Sequence, residues 1–166
     1  MKSVFFACIA VIAMALSPCS ASAAGIAPPD YNFLLTGNGN LINGGSSWAC
    51  QWTFNVKSGP DAGGGKAAGG TMSGGSATAG TGCSVMTMAA STWSITSSTA
   101  TGGTGVFHGL SFYQSGIPYC STTSDVAFTV TNNGAAPSTF VLNYPTIGTC
   151  TMVASLNTAS NLDVVP

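Results

Sequence analysis

The stretch SSWACQWTFNVKSG, residues 46–59, decides how this chain is read. Trp48, Cys50, Trp52, Phe54 and Val56 fall on alternate positions, with Ala49, Gln51, Thr53, Asn55 and Lys57 between them. Successive side chains of a strand point to opposite faces, so period-two alternation marks a half-buried β-strand. One face is aromatic and the other is polar and almost uncharged. Neither carries an acid–base pair, so the best strand of the chain is built for packing rather than chemistry.

Upstream, YNFLLTGNGNLING (31–44) predicts a strand broken at Asn38-Gly39 and Asn43-Gly44, both strong turn dipeptides. AGIAPPD (24–30) reads as a proline-bearing leader with nothing to pack. Downstream, SGPDAGGGKAAGGTMSGGSATAGTG (58–82) is dense in glycine and poor in apolar residues. It is expected to be a long flexible loop, with at most a thin strand near Thr71-Met72-Ser73.

From Cys83 the β signal returns in short pieces: CSVMTM, TWSITS, GVFHGLSFY, DVAFTVT, TFVLNY and CTMVASL. Val126, Phe128 and Val130 alternate up to Asn132-Asn133-Gly134, a hairpin signal leading into Phe140, Leu142 and Tyr144. No sustained helical periodicity follows residue 24. Many short strands with Gly-rich turns predict an all-β fold, an antiparallel sandwich or barrel in one domain over 24–166. A β-helix is the lesser alternative, because no short period repeats.

The first residues address the compartment. Met1-Lys2-Ser3 is a short basic start, Val4 to Leu16 is apolar, and Ala21-Ser22-Ala23 is a small-residue cleavage site. Residues 1–23 are therefore expected to be a signal peptide, and the mature chain to be secreted without a further membrane-spanning segment. Pro18 beside Cys19 argues against a lipoprotein box.

Charged residues make up 4% of the chain, against about 25% in ordinary domains. After residue 23 there remain Lys57, Lys66, Asp30, Asp61, Asp125 and Asp163, with no arginine and no glutamate. Nucleic acid is excluded as a partner, because nothing can neutralise a run of phosphates. So little charge leaves surfaces free to meet, which suits self-association or adsorption to an apolar surface, and equally an ordinary secreted β-domain rich in small residues.

Cys50, Cys83, Cys120 and Cys150 form an even set in an exported chain, which reads as two disulfides. TAGTGCSVM (78–86) resembles TIGTCTMVAS (146–155), and CQWTFNV (50–56) loosely echoes CSTTSDVAFTV (120–130). A duplicated unit of this kind favours Cys50–Cys83 with Cys120–Cys150. The close C-x-x-C spacing of a zinc site is absent, so neither metal nor cofactor is expected.

Catalysis is poorly provided for. His108 is the lone histidine, in GVFHGL, without a nucleophile elbow, and reads as an ordinary strand histidine. Four scattered aspartates do not make a carboxylate pair. PDAGGGK (60–66) lacks the first glycine and the final Ser/Thr of a phosphate loop. Met86 and Met88 on alternate positions read as core rather than as copper ligands. Trp48, Trp52, Trp93 and Phe54 are the residues to watch, as core or as contacts to an apolar ligand.

C-x-W-T-F-x-V after the first strand, a Gly/Ser/Thr-rich stretch ending in G-C, S-T-W-S-I-T and a final G-T-C-T-M-V-A-S-L together resemble the PraA/PraB-type activators of alkane oxidation. The likeness runs from about Leu34 to Leu156. In that family a tryptophan commonly follows the second cysteine by about ten residues, as Trp93 follows Cys83, although Thr92 replaces the usual preceding proline. The resemblance implies a small exported bacterial protein promoting growth on liquid alkanes by emulsification or contact, and associated with biofilm. It implies no catalytic residues. The expected function is non-enzymatic action at a hydrophobic interface (alkane or lipid), with a matrix or fibre subunit as the alternative and a small extracellular enzyme as the least favoured.

Overall fold

The computed structural model describes residues 24–166; the expected signal peptide lies outside the described residues. Along the chain come β1 (Gly25–Ala27), β2 (Asn32–Asn43), β3 (Ser46–Ser58) and β4 (Gly69–Thr78). A 3₁₀ turn over Cys83–Val85 leads into β5 (Met86–Met88) and β6 (Ser91–Thr99). Then follow β7 (Gly102–Gln114), β8 (Ile117–Asn133), β9 (Ala136–Ile147), β10 (Cys150–Thr158) and β11 (Asp163–Val165).

Every ladder is antiparallel, and each strand from β2 to β10 pairs with the next in sequence apart from β5 and β6. Those two lie end to end as one stave, both between β4 and β7. β10 returns to β2, so the sheet closes into an eight-stranded up-and-down barrel. Closure removes the free edges that an open sheet of this size would expose. The all-β expectation resolves in favour of the barrel, with both disulfides paired as expected, Cys50–Cys83 and Cys120–Cys150.

The alternation of β3 sets what fills the barrel. Cys50, Trp52, Phe54 and Val56 are buried, with Gln51, Asn55 and Lys57 outside. Ring meets ring through the interior: Trp52 with Phe112 at 5.3 Å, Phe107 with Phe128 at 4.8 Å, and Phe128 with Phe140 at 5.5 Å between centroids. Tilted and edge contacts of this kind add about 0.5–1.5 kcal/mol per pair beyond the area buried. The interior is thus a packed core, unlike the ligand cavity of a wider barrel.

The stretch 24–30 is not a leader with nothing to pack, because Gly25–Ala27 pairs with β11 and buries Ile26. Two further sequence expectations fail through glycine. The 58–82 segment is not a flexible loop throughout, because Gly69–Thr78 forms the ten-residue β4 between β3 and the β5–β6 stave. Its glycines sit where neighbours come closest: a Cβ on Gly70 would lie 2.9 Å from Cζ2 of Trp93, and one on Gly75 would lie 2.6 Å from the carbonyl oxygen of Thr53. Nor does Asn38-Gly39 turn. β2 runs straight through it, the Gly39 carbonyl accepts a hydrogen bond from Trp52 Nε1 at 3.2 Å, and a Cβ on Gly39 would strike that of Ala154 at 2.6 Å. The second dipeptide does turn, with Gly44 at φ 57° between β2 and β3.

The two mouths of the barrel are closed differently. At one, β1 and β11 pair as a short ribbon, and Ile26 bonds Ala67 in both directions, at 2.8 and 2.9 Å. Ile26, Leu162 and Val164 are buried beneath it. The Asn132 side chain clamps Val164, donating to its carbonyl at 2.7 Å and accepting its N–H at 2.9 Å. Four buried polar or charged residues, Ser58, Lys66, Ser138 and Thr158, all belong to this mouth and all are hydrogen-bonded. Lys66 Nζ donates to the Pro166 carbonyl.

Candidate functional site

At the opposite mouth lie the β2–β3, β4–β5, β7–β8 and β9–β10 connections, and both disulfides. Cys50 on β3 reaches the 3₁₀ turn at Cys83, and Cys120 on β8 reaches the start of β10 at Cys150. Counted in staves, each link joins the second strand of a four-stave half to the junction of its third and fourth. This is the arrangement a duplicated unit would leave.

The same geometry brings Trp48 and Tyr119 together across the mouth from opposite walls. Their rings lie edge to face at 6.4 Å, and Trp48 Nε1 donates to the Tyr119 hydroxyl at 2.9 Å. Trp48 also packs on Gly82, which has no side chain to displace it. The pair forms a half-buried lid over the core. Beside it, Ser115 N–H donates to the Val85 carbonyl at 2.8 Å and ties the β4–β5 connection to the β7–β8 turn. Two large apolar side chains project there: Val85 is 40% exposed and Ile117 is 69% exposed.

Charge separates the two mouths. Asp30 and Lys57 form an exposed pair at 3.8 Å near the ribbon, where Asp61, Lys66 and Asp163 also lie. Asp125 and His108 sit on the side wall. Among the described residues, the disulfide mouth carries no charged side chain at all. A surface with apolar tips and no charge has little to desolvate when it leaves water.

Of the aromatic candidates, Trp52 and Phe54 are fully buried and Trp93 nearly so, packed on Phe33 at 6.4 Å. Trp48 alone lies at the mouth, half-buried. Sequence reading missed its partner Tyr119, as well as Val85 and Ile117, because Val85 sits in the β4–β5 connection and the other two open β8, and which residues meet at the mouth depends on closure.

It also missed the surroundings of His108. On the outer wall, Asp125 on β8 lies opposite His108 on β7, with Oδ1 at 2.8 Å from Nδ1. Ser94 on β6 places its Oγ at 2.9 Å from Nε2. Three residues scattered in sequence thus form one hydrogen-bonded row across adjoining staves. No group of three or more metal-ligating side chains occurs among the described residues.

The family model described as alkane oxidation protein activator PraA/PraB-like matches residues 1–166, and the chain belongs to that family. No curated protein and no solved structure matches it.

Proposed function

We propose that this protein is secreted and acts at the boundary between water and liquid alkane, adsorbing through its uncharged, disulfide-stapled mouth. It promotes alkane uptake or oxidation, and association in biofilm, by contact rather than by catalysis. The segregation of charge carries this reading: the ribbon mouth holds most of the charges and the disulfide mouth holds none. A molecule so divided has a wet end and an uncharged end, although Tyr31 and Leu34 are also exposed near the ribbon mouth. The filled interior supports adsorption over carriage of alkane inside the barrel. Disulfides are consistent with an extracellular or periplasmic setting.

Magnitudes favour reversible adsorption. Fully burying a Val- or Ile-sized side chain contributes roughly 1.5–3 kcal/mol, so the exposed parts of Val85 and Ile117 together supply about 2–3 kcal/mol. The test is interfacial tension at a hexadecane–water boundary with purified chain from Ala24. It should fall, with little dependence on salt, because apolar burial rather than charge drives the process. Val85→Asp with Ile117→Asp should abolish the effect while the fold persists. Monomers that leave the tension unchanged would defeat the proposal.

One observation favours the fibre alternative. The β8–β9 ladder runs only from Thr129–Val141 to Asn133–Ala136, so closure leaves one local gap: β8 is paired on one side alone from Thr122 to Phe128, beyond the point where the β9–β10 turn packs on Ser121. Such an edge can accept a strand from another copy. Filaments sedimenting from oil-free buffer would select that reading.

A further inference from the structure

The row on the outer wall goes beyond adsorption, since none of its members touches the disulfide mouth. We infer that Ser94 is a base-activated nucleophile that takes acyl groups from activated esters, with His108 as its base and Asp125 as the residue that positions the base. The argument begins with hydrogen-bond capacity. A carboxylate only accepts, so the Nδ1 facing Asp125 must carry a hydrogen. In a neutral imidazole that leaves Nε2 with its lone pair, and the Ser94 hydroxyl at 2.9 Å must donate to it. Nucleophile, base and orienting carboxylate then stand in the relation that activates serine in hydrolases of unrelated fold.

The surrounding backbone holds this relation. Between the His108–Asp125 and Leu110–Thr122 pairs, β8 carries two residues, Thr123 and Ser124, against Gly109 alone on β7, at φ 78°. This is a β-bulge, a device that re-aims side chains and is common beside active sites. Ser91 Oγ donates to the Gly109 carbonyl at 2.6 Å and pins β7 next to the histidine. Other hydroxyl pairs decorate the wall, such as Thr96 with Thr104 at 2.8 Å. None of them includes a base with a fixed tautomer.

In the step, Ser94 Oγ bonds to the ester carbonyl carbon and its proton passes to His108 Nε2. The bond from that carbon to the alkoxy oxygen breaks, and the alkoxy group leaves with the same proton as an alcohol. A water deprotonated by His108 then releases the carboxylic acid and restores the serine. Ser94 lies within the β6–β7 ladder on an open wall, where solvent rather than fixed backbone donors meets the developing oxyanion. One such donor is worth about 10²–10³ in kcat. The reaction is accordingly slow and restricted to esters with good leaving groups.

The experiment uses the chain from Ala24 with both disulfides intact, treated with a fluorophosphonate and followed by intact mass and peptide mapping, beside p-nitrophenyl acetate hydrolysis. One adduct on Ser94 is expected, absent in Ser94→Ala. His108→Gln should slow labelling by about 10²-fold or more, the usual worth of a general base. Asp125 on β8 is the titratable group facing His108, with Thr92 and Ser94 presented by β6. Asp125→Asn should weaken labelling with the melting curve unchanged, and Asp125→Glu should restore part of it, which a merely structural role would not do. Folded wild type that stays unlabelled, an adduct on another serine, or a rate indifferent to His108→Gln would overturn the inference. The adsorption reading would survive any of these results.

Discussion

The two mouths of this barrel face the same physical problem, a core that must be sealed from water, and solve it with different chemistry. At the ribbon mouth, buried polar side chains and Lys66 hydrogen-bond backbone groups, and the other charges lie at the surface. At the disulfide mouth, two covalent links and one aromatic pair do the sealing, and no charge is present among the described residues. Hydrogen bonds need polar atoms, and polar atoms keep a surface wet. Covalent links do not, so sealing with cystine leaves a mouth free to be apolar.

If that contrast holds, removing a disulfide has the largest effect. Cys120→Ala with Cys150→Ala should lower unfolding free energy by about 2–5 kcal/mol, read from urea midpoints. A loss below about 1 kcal/mol would mean the aromatic lid, not the link, closes the mouth. At the ribbon, Asn132→Ala leaves both backbone groups of Val164 without their partner. A cost of about 1–3 kcal/mol is expected, with hydrogen exchange at the Val164 amide accelerated more than at barrel amides.

Smaller changes sharpen the comparison. Tyr119→Phe removes one half-buried hydrogen bond from the lid and should cost about 0.5–1.5 kcal/mol in thermal unfolding, while raising Trp48 fluorescence sensitivity to quenchers. Trp93→Phe is expected to change stability by less than about 1 kcal/mol. Its Nε1 is buried with no acceptor, so the ring area lost is offset by relief of an unpaired donor. A cost near the roughly 3–5 kcal/mol typical of Trp→Ala would show that the ring fills its site too well to be trimmed.

How much of this could be read beforehand depended on the distance over which each signal acts. The faces of β3 were legible because alternation from Trp48 to Val56 is local, and the disulfide pairing because the flanks of Cys83 and Cys150 repeat. β4 was hidden, since glycine in sequence looks like freedom, whereas at Gly70 it is the space taken by the Trp93 ring. Asn38-Gly39 misled in the same way. The link between Ser94, His108 and Asp125 depends on the register of three strands and a bulge, which no local pattern encodes. Val85 and Ile117 reach the same mouth through the β5–β7 and β7–β8 pairings and the Ser115–Val85 bond, all long-range in sequence or dependent on register.

The ribbon also gives the molecule a mechanical character. Gly25 faces Val165 at its outer end, with Ala27 facing Asp163 further in, so a pull applied to Ala24 and Pro166 loads these pairs one after another. The next ladder inward, β2 with β10, is antiparallel and is entered from the same end, at Leu35 and Thr158. Tension between Ala24 and Pro166 would therefore peel the wall like a zipper, at low force, rather than shear it. The segments 50–83 and 120–150 are bypassed by their covalent links and cannot lengthen under that load. A molecule held at Ala24 and Pro166 could yield there and still keep its disulfide mouth shut.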